Sequence, residues 1–108
     1  MKKYNKLVRD KIPEIILNNN EKPITRILDD QSYKKELEKK LLEEYNEVLE
    51  SSGKDRLEEL SDMLEVITYL ATLENSSLEQ VRKIAKQKRL KRGGFDKKIY
   101  LEKVTSKQ

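Results

Sequence analysis

The sequence contains no cysteine and no histidine, and only three glycines and two prolines. Without cysteine there is no disulfide framework and no thiolate site. Without either residue the usual zinc ligands are missing, and so is any Ser-His or Cys-His nucleophile pair. A metal bound here must be held through oxygen, which suits Mg²⁺, Mn²⁺ or Ca²⁺. No apolar run approaches membrane-spanning length, and no signal-peptide core follows Met1-Lys2-Lys3. A soluble cytoplasmic protein is therefore expected.

What is present is charge. Of the 108 residues, 41% are charged and 35% hydrophobic, which leaves one protomer a thin core. The length suits one domain over residues 1–108. A core this thin, spread over long helices, predicts completion by another subunit. The net charge is +4, but its distribution says more. Between Glu36 and Glu65 stand eleven acidic and four basic residues, and between Arg82 and Lys103 ten basic and two acidic. Most of these charges are solvated helix faces. The sharper reading sets a metal site beside an anion-binding segment, with a polyphosphate between them.

The pattern along the chain is helical, without internal repeats or low-complexity tracts. Residues 7–17 suit a short helix, with Asp10 as N-cap, Pro13 in the first turn and Asn18-Asn19-Asn20 as its end. Residues 23–28 are short and β-branched, as in a strand. A long helix follows from an N-cap at Ser32 to about Ser51, stopped by Ser51-Ser52-Gly53. A second spans about Asp55 to Glu74, stopped by Asn75-Ser76-Ser77. A third, capped by Ser77, runs from about Leu78 to Lys91, and Gly93-Gly94 breaks the chain. Residues 98–104 alternate and could pair with 24–28. The expected fold is all-α, a helical bundle with a marginal two-stranded β-ribbon, completed by oligomerisation.

On a wheel of 100° per residue, Leu37, Leu41, Tyr45 and Val48 define the apolar stripe of the first long helix. Glu44 falls inside the stripe, Glu47 on its flank, and Glu43 points away. On the next helix Ser61, Glu65, Thr68 and Thr72 mark a narrow polar face, with Glu58 at its edge. Glu59 and Asp62 lie elsewhere, between Val66 and Leu70 and between Tyr69 and Leu73. Each pair, Glu44 with Glu47 and Glu59 with Asp62, is spaced i, i+3, so its members share a face. Two antiparallel helices would turn the pairs toward each other. Carboxylates moved out of water together repel and protonate unless something compensates them. A divalent cation would do so. Pairing with Lys40, Arg56 or another subunit's basic residue is the alternative.

These residues also resemble a family. Glu43-Glu44-x-x-Glu47, eleven intervening residues and then Glu59-x-x-Asp62 is similar to the metal-binding signature of the MazG-like all-α nucleoside triphosphate pyrophosphohydrolases. The segments Tyr4-Asn5-Lys6-Leu7-Val8-Arg9-Asp10-Lys11-Ile12-Pro13 and Arg92-Gly93-Gly94-Phe95 look like a small branch of that superfamily directed at aberrant nucleotides. The resemblance covers nearly the whole chain. It implies hydrolysis of a nucleoside triphosphate to monophosphate and pyrophosphate. It also implies Mg²⁺, with Mn²⁺ as an alternative, on Glu44, Glu47, Glu59 and Asp62. The family is oligomeric, so a homodimer is expected, with a tetramer as the alternative.

The basic segments fit a phosphate ligand. Lys88, Lys91 and Arg92 lead into Gly93 and Gly94, whose backbone can approach a ligand and offer its N–H groups. A basic helix end with a glycine stop explains the same residues. Arg9 and Lys11 could approach the nucleotide, or serve a cap and salt-bridge network with Asp10. Phosphoribosyl-ATP pyrophosphohydrolase shares the acidic core but fits the terminal motifs less well. A nucleic-acid-binding helical module is suggested by the pI of about 9.2. Neither nucleic acid nor a membrane is the expected partner.

Overall fold

The computed structural model describes residues 2–107, and among them the regular structure is helical throughout. There are four helices: α1 (Ile12–Asn18), α2 (Asp30–Glu50), α3 (Gly53–Leu73) and α4 (Leu78–Arg92). The described residues form two compact units that divide between Leu78 and Glu79. No helix among them is long and apolar enough to cross a membrane.

Local chemistry sets the ends of the helices in the first unit. Pro13 stands in the first turn of α1, whose N-cap is Lys11 without a side-chain capping bond. The expected start at Leu7 with an Asp10 cap is thus corrected. Such a helix would put Pro13 in its interior, where the missing N–H and the ring both break it. Instead the Ile12 N–H donates to the Arg9 carbonyl at 3.0 Å, and residues 7–10 approach as irregular chain. The helix ends as expected, with Asn20 left-handed at φ +63°.

Asp29, not Ser32, caps α2. Its carboxylate accepts the Ser32 N–H at 2.8 Å. Hydrogen bonds from Ser32 hold Asp29 below the ordinary carboxylate range. A full negative charge at a helix N-terminus gains from the helix dipole as well as from the bond.

Between α2 and α3 lie only Ser51 and Ser52. The Val48 carbonyl gathers the turn: it accepts the Ser51 hydroxyl at 3.2 Å and Arg56 Nε at 3.0 Å. Gly53 then takes φ +58°, and a Cβ there would meet no atom within 4 Å. The backbone conformation, not space, is what calls for glycine.

The two long helices pack against each other as an antiparallel hairpin. Leu37 of α2 and Val66 and Ala71 of α3 are buried, and Leu41 and Val48 are half-buried. Six other apolar residues expose a flank. Leu42, Tyr45 and Leu49 recur at i, i+3, i+7 on α2, as do Leu57, Leu60 and Leu64 on α3, and all six are exposed. On antiparallel helices these two stripes turn to the same side of the pair. Glu44 of α2 and Glu59 and Asp62 of α3 converge at the seam instead.

The expected ribbon does not form, since no strand is present among the described residues. Ile24 and Ile27 are 89% and 97% exposed, and Ile99 and Leu101 are also largely in solvent. A lone two-stranded ribbon is marginal without a third strand or a packed face. Lys98, at φ +58°, also interrupts the extended run where its second strand would begin.

The second unit holds most of α4 and the segment after it. None of the α4 residues is buried. Gly93, at φ +85°, ends the helix by donating its N–H to the Arg89 carbonyl at 2.8 Å.

Candidate metal centre

The two-residue link fixes the register of the hairpin, and that register brings the inward-turned acids together. Glu44 from α2 meets Glu59 and Asp62 from α3, with a carboxylate oxygen from each lying within 4.8 Å of the others. Glu44 is only 8% exposed, Glu59 and Asp62 are half-buried, and Glu47 stands at the exposed rim. Glu47 is near enough to act on the proton affinity of both Glu44 and Glu59.

The electrostatics follow from crowding. Burial is the main cause that pushes Glu44 up to about 7, and the hydrogen bond and charge of Glu47 and the charge of Asp62 add to it. Lys40 acts in the opposite direction. Glu59 is raised first by its hydrogen bond with Glu47, then by burial and by the charges of Glu47 and Asp62. Glu44 Oε2 and Glu59 Oε2 are buried without a hydrogen-bond partner.

The counter-cations considered from sequence are engaged elsewhere. The Lys40 ammonium is 3.8 Å from Glu43, and Arg56 binds the Val48 carbonyl. Arg9 is the residue that reaches the cluster. Its guanidinium lies 2.9 Å from Asp62 Oδ1 and 3.7 Å from Glu65 Oε2. The salt bridges that Arg9 makes run to α3 and not to Asp10. Glu65 is a participant that the wheel had set on the solvent face. Its i, i+3 spacing from Asp62 is the signal that would have found it.

Comparison with family models, curated proteins and solved structures finds no match.

The donor set fits a hard divalent cation. It consists of carboxylates alone, and two of their buried oxygens have no partner. Such oxygens are costly unless a proton or a cation satisfies them.

The other expected binding residues are distributed differently. Lys11 provides the α1 N-cap position through its backbone. Lys88, Lys91, Arg92, Gly93 and Gly94 belong to the second unit. There Arg92, Gly93 and Gly94 line a shallow hollow with Asp96, Lys97 and Ile99. The Gly93 N–H, expected to face a ligand, is spent on the end of α4.

Proposed function

We propose that this chain is a Mg²⁺-dependent nucleotide pyrophosphohydrolase of the MazG-like all-α kind, with Mn²⁺ as a substitute ion. Water attacks a phosphoryl group of a nucleoside triphosphate, the α–β phosphoanhydride bond breaks, and monophosphate and pyrophosphate leave. The observation that carries this reading is the convergence of Glu44, Glu59 and Asp62 around buried oxygens that lack partners. Acids turned into the seam of a hairpin are expensive in a purely structural role.

In this reading Glu44, Glu47, Glu59 and Asp62 would hold the ion. A divalent cation supplies charge neutralisation and polarises phosphoryl oxygens. The chain's own groups do the rest. Proton removal from the attacking water falls to a carboxylate, since there is no histidine to accept it. Arg9 is close enough to add a guanidinium fork for phosphate oxygens. The protein is a homodimer in this reading, since the exposed stripe on α2 and α3 and the thin core call for a second copy.

The test is pyrophosphate release from a panel of natural and modified nucleoside triphosphates plus phosphoribosyl-ATP, with and without Mg²⁺. Mg²⁺-dependent release from a nucleoside triphosphate supports the reading. Release from phosphoribosyl-ATP alone moves the chain to the biosynthetic reaction. No release from any of them, together with no Mg²⁺ binding, would sink it.

A further inference from the structure

Arg9 already occupies the edge of the carboxylate cluster before any ligand arrives. We propose that Arg9 is a built-in counter-cation of this site, which a divalent ion displaces from Asp62 onto Glu65, leaving its guanidinium to engage the incoming phosphate. This rests on the cation-site reading of the cluster and adds to it a competitor and a sequence of events.

Three observations support the exchange. The first is shared occupancy. Arg9 binds Asp62 Oδ1 at 2.9 Å, and Asp62 also contributes an oxygen to the group that converges with Glu44 and Glu59. Two cations on one small carboxylate repel each other, so they compete. Glu44, more than nine-tenths buried and with an unpartnered Oε2, marks the ligand position as built in.

The second is the weakness of the existing pair. The Arg9 and Asp62 side chains are 56% and 43% exposed, so water screens their attraction. Pairs of this kind contribute little net stability and exchange readily. A fully buried pair would instead lock the site.

The third is a place to go. Glu65 Oε2 lies 3.7 Å from the other Arg9 nitrogen, one helical turn along α3 from Asp62. The guanidinium can let go of Asp62 without leaving the helix. Leu7 and Val8, next to Arg9 in the chain, are half-buried.

The proposal makes opposite demands on one variant. Mn²⁺ alone, titrated by calorimetry, should bind folded Arg9→Gln more tightly than the wild type by up to about fivefold, the range expected for removing an exposed ion pair. Inorganic tripolyphosphate should then bind the Mn²⁺-loaded variant several-fold more weakly. Arg9→Lys, which keeps the charge but not the fork, should fall between the two for Mn²⁺. Glu65→Gln should weaken Mn²⁺ binding in the wild type but have little effect in the Arg9→Gln background. Unchanged or weaker Mn²⁺ binding by Arg9→Gln overturns the counter-cation, even where Glu44→Gln abolishes binding and so upholds the cation site. Unchanged tripolyphosphate affinity overturns the hand-over to phosphate. No Mn²⁺ binding by the wild type overturns both this proposal and the site beneath it.

Discussion

Glu44 shows at the scale of one residue how a binding group and a stability liability coincide. Its pKa is raised from an ordinary 4.5 to about 7, so the folded chain holds this proton more tightly than the unfolded chain does. The resulting stability is complete below pH 4.5 and is lost as pH rises through about 7. The loss is on the order of 3 kcal/mol at most, since each tenfold gain in proton affinity is worth about 1.4 kcal/mol. Thermal unfolding of the metal-free protein should therefore show a falling midpoint across that window. Glu44→Gln should flatten the curve and raise stability at pH 8, and Mg²⁺ should stabilise the wild type most in the alkaline range. A midpoint that rises with pH in the absence of metal would contradict this. Activity divides neighbouring acids in the same way: Glu59→Gln should abolish pyrophosphate release, whereas Glu58→Gln should change it less than twofold. Equal losses would show that the side facing the seam is not what matters. These acids were legible in the sequence because polar residues inside an apolar arc break a local period. Arg9 and Glu65 were not legible as partners. Their contact joins residues far apart in the chain, and only the docking of the N-terminal segment on α3 brings them together.

At the scale of the element, backbone chemistry decides where helices stop. The residues just past the ends of α1, α3 and α4, Asn20, Asn75 and Gly93, all take positive φ. Asparagine and glycine tolerate that conformation, so the stops could be read directly. The starts were harder. Asp29 and Ser32 are both good caps three residues apart, and only the direction of the 2.8 Å bond tells them apart. Asp29→Ala should cost about 1 kcal/mol in denaturant unfolding, and Ser32→Ala much less. Gly53→Ala should cost about 1 kcal/mol through conformation alone, since no atom stands where its methyl would go. The ribbon misled for a different reason. Alternation shows that a segment could be extended, but pairing needs a partner strand held in register, which local pattern does not supply.

At the scale of the whole molecule, the hairpin has two unlike sides. One carries Leu42, Tyr45, Leu49, Leu57, Leu60 and Leu64 in solvent, and the other turns toward Arg9 and the acids. An apolar stripe of this length beside so thin a core is expected to meet a second copy about a two-fold axis, forming a four-helix arrangement. Leu60→Glu should leave a monomer in sedimentation velocity while the wild type sediments as a dimer. A wild type that stays monomeric at high concentration would refute it.

The two-serine link also sets an arithmetic for change. It clamps the register of α2 on α3, so the number of residues between Glu47 and Glu59 is a length that cannot drift by ones. A single residue inserted in α3 between the link and Glu59 turns Glu59 and Asp62 by about 100° relative to the start of that helix and removes them from the seam. Lengthening the hairpin by one turn on each arm, about seven residues in all, restores the facing. Viable insertions at this end should therefore come in steps of about seven. A library of insertions divided between the two helical arms, scored by Mn²⁺ binding, would reveal a comb with teeth at that interval.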